Sequence, residues 1–162
     1  MRRTSLALAT LAALGLALAA CASEAEPEPA WTEEEAFAAA EETFRAYWGS
    51  DFDSDEERLQ YLNKEMAQQA EESERALADI DIERRGESVV TSFEAATFRT
   101  VGATAVVEAV ACVDGTEVEV NIDGEGWEAP REEPQYAVEI SFEASGSRMV
   151  VADLTEAGGV RC

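Results

Sequence analysis

Residues 136–143 read Tyr136-Ala137-Val138-Glu139-Ile140-Ser141-Phe142-Glu143. Tyr136, Val138, Ile140 and Phe142 share one parity, and small or acidic residues fill the other. Strand side chains alternate faces, so this pattern predicts a strand with one buried and one solvated side. Residues 144–147 turn the chain, and 148–154 reads as a second strand, which together predict an antiparallel hairpin. Upstream, residues 104–113 are nearly continuous in apolar side chains, which predicts a strand covered on both faces. Residues 88–101 are rich in Val, Thr and Phe. There Val89, Thr91, Phe93 and Ala95 fall on one parity and Phe98 on the other, so a bulge is expected within a long strand. Asp114-Gly115 marks a turn. Residues 116–122 alternate as a short edge strand, and 123–134, rich in Gly, Pro and Glu, read as a loop.

Before Arg84-Arg85-Gly86 the pattern is helical. Thr32 followed by Glu33-Glu34-Glu35 is a capping-box signature, with acids placed where the helix dipole favours them. Phe37, Ala40, Phe44, Tyr47 and Trp48 then recur at three- and four-residue spacing. This predicts a helix over 33–48, with Gly49 as its stop. Residues 50–55 form an acidic bend. Leu59 and Leu62 mark a second helix starting near Glu56. Met66, Ala70, Ser73 and Leu77 mark a third over 64–78, with no sharp break between the two. Helices first and an antiparallel meander afterwards is the α+β order.

The chain has 162 residues, 12 of them Lys or Arg, 35 Asp or Glu and none His, for a formal net charge of −23. That length suits one domain with a real core. The charge excludes conventional nucleic-acid binding, which rests on clustered cations. Without His, histidine-based zinc sites, Ser-His-Asp triads and the usual neutral-pH general base are excluded as well.

The N-terminus carries an address. Met1-Arg2-Arg3 precedes an apolar run over residues 6–20, the basic and hydrophobic parts of a secretory signal. The run is shorter than the roughly 20 apolar residues a spanning helix needs. It ends in Leu18-Ala19-Ala20-Cys21, which resembles the lipobox of bacterial lipoproteins. The resemblance implies a diacylglycerol on the Cys21 sulfur and cleavage before it. The chain would then divide into a signal peptide over 1–20, a lipidated tether over 21–30 and one α+β domain over 31–162. The tether, Ala-Ser-Glu-Ala-Glu-Pro-Glu-Pro-Ala after Cys21, is stiff, and at about 3.1 Å per residue it reaches under about 30 Å. Loss of Arg2 and Arg3 leaves 10 basic against 35 acidic residues, a net −25. Such a domain is repelled by anionic headgroups, so the membrane is expected to be a partner through the lipid alone.

With Cys21 lipidated, Cys112 and Cys162 remain as a pair in an oxidising compartment, and a Cys112–Cys162 disulfide is expected. Closing a loop of about 50 residues would contribute roughly 4 kcal/mol in the chain-entropy model.

The order of these segments resembles the cone-shaped fold of nuclear transport factor two-like proteins, in which N-terminal helices lie on a curved antiparallel sheet. The lipobox, the acidic tether, the aromatic first helix, the strand ending Ala-Cys-Val-Asp and the terminal Cys together resemble small actinobacterial cell-envelope lipoproteins. In a cone, Tyr47, Trp48, Trp127 and Tyr136 are the candidate pocket or partner contacts. Aromatics at helical spacing are more often core, which favours packing for Tyr47 and Trp48, and Trp127 stands out for lying in a loop. Two acidic runs approach a calcium-loop template. Asp51-Phe52-Asp53-Ser54-Asp55 lacks the required Gly and the closing acid. Asn121, Asp123, Glu125, Gly126 and Glu132 fit better, but Pro130 interrupts the loop and no helices flank it. Both read as solvated acidic segments, so no metal and no other cofactor is expected.

No family catalytic residue maps onto this chain, and a non-enzymatic binding or interaction module is the expectation. The negative charge would favour a basic envelope protein or a cationic small ligand. Two alternatives stand beside it: an isomerase- or dehydratase-type pocket enzyme using Asp and Tyr, and an accessory subunit of a cell-envelope complex. Analogy with cone folds adds a homodimer formed through the open sheet face.

Overall fold

The computed structural model describes residues 31–50 and 55–162. Cys21, the signal sequence, the tether, and Asp51 and Asp53 of the acidic bend lie outside the described residues. The fold is α+β, and the described residues form three helices and two antiparallel sheets.

Helix α1 spans Glu33–Gly49, and Thr32 caps it. The Glu35 amide donates to Thr32 Oγ1 at 3.3 Å, and the Thr32 amide donates back to Glu35 Oε2 at 3.0 Å. Two of the orphan donors of the first turn are thereby satisfied. The Thr32 amide and then the Thr32 hydroxyl, which donates to the same Oε2 at 2.8 Å, hold the exposed Glu35 carboxyl below its ordinary pKa. Ala36, Ala40 and Phe44 form the fully buried stripe of this helix, so small residues let it sit close to the sheet. Gly49 does not stop the helix through a left-handed turn. It belongs to the last turn, and Ser50 ends the helix in extended backbone, its Oγ donating to the Tyr47 carbonyl at 2.6 Å.

Helices α2, Asp55–Leu59, and α3, Lys64–Leu77, are separate elements. The break absent from the sequence pattern comes from the sheet. Residues 61–63 lie along the edge of the last strand, where Leu62 bridges Val151 in parallel. Val151 donates to the Tyr61 carbonyl and Asn63 donates to the Val151 carbonyl, both at 2.8 Å. Asn63 then caps α3 by accepting from the Met66 amide at 2.8 Å.

The main sheet runs in the order β2-β3-β6-β7, with strands Val89–Val101, Thr104–Asp114, Gln135–Ser145 and Arg148–Glu156. Each consecutive pair is antiparallel, and the β6–β7 hairpin closes with Ser145 opposite Arg148. On the face toward α1, Val107 pairs with Phe142, Ala109 with Ile140 and Ala111 with Val138. The alanines leave room for Phe44, whose ring lies 5.8 Å from Phe93, which in turn lies 6.1 Å from Phe142. These contacts form one buried apolar cluster between helix and sheet.

Two strand expectations need correction. Strand β3 is not covered on both faces. Its burial alternates strictly, and Val106, Glu108, Val110 and Cys112 on the outer face are only half-buried. The continuous apolar run therefore encodes one core face and one partly wet face. Strand β2 carries two bulges rather than one, between Val90 and Ser92 and between Ala95 and Thr97. The first bulge turns Val90 toward the core and leaves Val89 exposed, reversing the parity expected there.

A second sheet runs β1-β4-β5, with strands Ile82–Arg85, Glu119–Ile122 and Trp127–Glu128. Residues 119–122 are thus the centre of a small sheet rather than an edge of the large one, and residues 123–134 are not loop throughout.

The chain end returns as expected. Cys162 is bonded to Cys112 on β3, with their Cα atoms 5.5 Å apart. Ala157 donates to the Ala137 carbonyl at 2.9 Å, which carries the tail toward the outer face of the main sheet.

Candidate functional site

A cleft of about 440 Å³ opens where the end of α1, the small sheet and the start of β6 meet. Trp48 and Tyr136 both line it, joined by Val118, Pro130 and Pro134.

Each wall has a local cause. Trp48 sits in the last turn of α1, packed on Phe44 at 5.3 Å between ring centroids. Its Nε1–H donates to Ser88 Oγ at 2.9 Å, which ties the helix end to the segment joining β1 and β2. Gly86 in that segment has φ of +78°, and a Cβ there would lie 1.8 Å from the Glu117 carbonyl oxygen. Only glycine allows this crossing, which brings the small sheet against the turn after β3. That turn is held by Asp114, whose Oδ1 accepts from the Thr116 amide at 2.9 Å and also from the Thr116 hydroxyl. Its Oδ2 accepts from Gln135 Nε2 at 2.9 Å. The Thr116 side chain, then its amide, then Gln135 hold the exposed Asp114 carboxyl below its usual value. Gly115 donates to the Pro134 carbonyl at 2.9 Å, which fixes the loop that enters β6.

Tyr136 begins the buried parity of β6 and is half-buried. The Arg131 guanidinium lies 4.0 Å from its ring centroid and pairs with Glu156. Burial pushes the Tyr136 phenol above its ordinary pKa, while the charges of Arg131 and Arg84 pull it back and Glu156 adds to the rise. Arg84, on β1, also lines the cleft.

Of the four aromatic candidates, the structure brings Trp48 and Tyr136 together and leaves the other two elsewhere. Tyr47 follows a different face of α1 and packs against the core. Burial raises its phenol pKa too, against the opposing charge of Arg58. Trp127 lies on β5, outside the cleft, with its ring 4.2 Å from the Arg85 guanidinium. Arg85 also pairs with Glu119 across the β1–β4 ladder.

Arg84 and Arg131 are the cleft residues that the sequence reading missed. Their signal was available, since both are cations in a chain with nearly three acids per base.

The better calcium-loop match serves turn geometry. Asn121 Oδ1 accepts from the Gly126 amide at 2.8 Å, its Nδ2 donates to Glu83, and Asp123 Oδ1 accepts from the Asp81 amide at 3.1 Å. Among the described residues, no three His, Cys, Asp or Glu side chains converge on a point that could hold a metal. No described helix is long and apolar enough to cross a membrane.

No family model, curated protein or solved structure matches this chain.

Proposed function

We propose that the chain is an extracytoplasmic binding module, held on a membrane by lipid at Cys21, with the cleft between its two sheets as the ligand site. One observation carries the binding part: a cavity of about 440 Å³ walled by Trp48 and Tyr136, which falls in the usual size range of small-molecule sites. The anchor is supported by the Leu18-Ala19-Ala20-Cys21 pattern behind an apolar run. It is supported further by the sulfur count, because the Cys112–Cys162 disulfide leaves Cys21 as the one remaining cysteine. A disulfide also suits an oxidising compartment.

A binding role has more support than isomerase- or dehydratase-type catalysis. The cleft lining offers a phenol whose pKa is raised, and no carboxylate to take up a proton as base. The overall layout, helices packed on a curved sheet, is the one expected of a cone-like lipoprotein domain, and that resemblance remains part of the proposal.

Cys21→Ser tests the anchor. In cells of the source type, the variant should leave the membrane pellet, and its mass should show neither lipid nor cleavage before residue 21. Retention in the pellet with an unchanged mature mass overturns it.

A further inference from the structure

We infer that the cleft takes a small ligand with a flat apolar body and an anionic head, the class represented by aryl carboxylates. This rests on the cleft being a ligand site, and it reverses the preference for cations expected from net charge. The chain has 35 acidic residues against 12 basic ones, yet the cleft is lined by Arg84 and Arg131 and by no Asp or Glu. A surface meant for a cation would use the acids that surround it. Here they are excluded from the lining, and two of the scarce cations stand in their place.

The two guanidinium groups are also arranged for use. Both line the same cleft as Tyr136, Arg131 with its guanidinium 4.0 Å from that ring's centroid. Arg131 is held in place by its seat over the Tyr136 ring and by Glu156 at one of its nitrogens. A guanidinium carries five N–H donors, so donors remain for an anion after that pair is made. A cation already immobilised loses little side-chain freedom when it binds. The apolar half of the ligand is matched by Trp48, Val118, Val120 and the two prolines. Trp48 has its N–H committed to Ser88, so it offers a ring face rather than a donor. The field of the whole chain slows the approach of an anion, but salt screens that field over about 10 Å and leaves contacts inside the cleft intact.

Indole-3-acetate and tryptamine test this, since they share a ring and carry opposite charges. The full chain, purified in detergent at neutral pH, is titrated with each while the Trp48 Nε1–H resonance is followed by NMR. Indole-3-acetate should shift that resonance saturably, and tryptamine at equal concentration should not. Arg84→Gln and Arg131→Gln should each weaken indole-3-acetate by about tenfold, as expected for loss of a charge-assisted contact. Their circular dichroism should match the parent, and the Trp31 and Trp127 resonances should stay in place. Equal shifts from both probes, or arginine variants that bind normally, overturn the anion preference and leave the cleft as a ligand site. If neither probe moves Trp48, the ligand site falls along with the preference.

Discussion

The two sheets of this protein are held by different forces. In the main sheet, Val107, Val113, Ile140 and Phe142 are fully buried against α1, and burial of such side chains contributes about 1.5–3 kcal/mol each. In the small sheet every residue of β1 and β5 is exposed, and Ile82 and Ile122 still show 44% and 41% of their surface to water. Its cohesion comes from short ladders, the Arg85–Glu119 pair, the Asn121–Glu83 bond and the Arg85 guanidinium over Trp127. Exposed pairs of this kind contribute about 0–1 kcal/mol each. The cleft lies where the two sheets meet, so one wall is anchored in the core and the other can yield. Ligand sites are commonly drawn from such low-stability regions.

Substitutions on either side can break this contrast. Phe142→Ala should have the largest effect, a loss of about 3–5 kcal/mol from a cavity at the centre of the cluster. Urea unfolding should then show both sheets melting in a single earlier transition. A small sheet that outlasts the main one would mean it has a core of its own. Replacing Cys112 and Cys162 together by Ala should cost about 2–4 kcal/mol, because the 50-residue loop between them is no longer closed in the unfolded chain. Thermal unfolding with and without reductant measures this, and the double variant should ignore the reductant. Gly86→Ala should cost less, about 1–3 kcal/mol, and in one place. The new Cβ would meet the Glu117 carbonyl, so the β1 and β4 amides should exchange faster while those of β3 and β6 keep their protection. Uniform loss of protection would show that the two sheets fold as one unit.

The same contrast explains what the sequence made legible. Strand β6 and helix α1 each carry a full period of buried residues within one segment, so the pattern reveals both type and facing. The capping box at Thr32 and Glu35 is equally local. Strand β1 was invisible because Ile82-Glu83-Arg84-Arg85 has no buried side to create alternation, and its partner lies more than thirty residues away. Between α2 and α3 the break was hidden because it is imposed by Val151, from the far end of the chain. The first bulge in β2 reverses the facing of Val89 and Val90, which parity counting cannot anticipate when both positions are valine. In the cleft, Trp48 and Tyr136 were legible as large aromatics at element ends. Tyr47 is one residue from Trp48, but a step along a helix turns the side chain by about 100°, away from the cleft. Arg84 and Arg131 are legible as scarce cations, but that both line one cleft, with no Asp or Glu in its lining, is a property of the folded surface.

The smallest effect, read through pH, separates a tyrosine of the core from one that lines the cleft. Tyr47 belongs to the core side and Tyr136 to the cleft, and burial raises both phenols above the ordinary value of 10.0. A group whose folded pKa is raised holds its proton more tightly when folded. Its contribution is therefore complete below the unfolded value, near 10, and is lost as the pH climbs from there through the folded one. Stability should be flat in this respect at neutral pH and decline in the alkaline range. Tyr47→Phe and Tyr136→Phe should each make that decline shallower. The effect of Tyr47→Phe should be the larger, since burial is the leading cause of both shifts and the Tyr47 phenol is the more deeply buried. Urea midpoints measured from neutral to alkaline pH give the comparison. A Tyr136→Phe curve that overlays the parent would mean water reaches the phenol freely, and then the small sheet does not close the cleft wall at all.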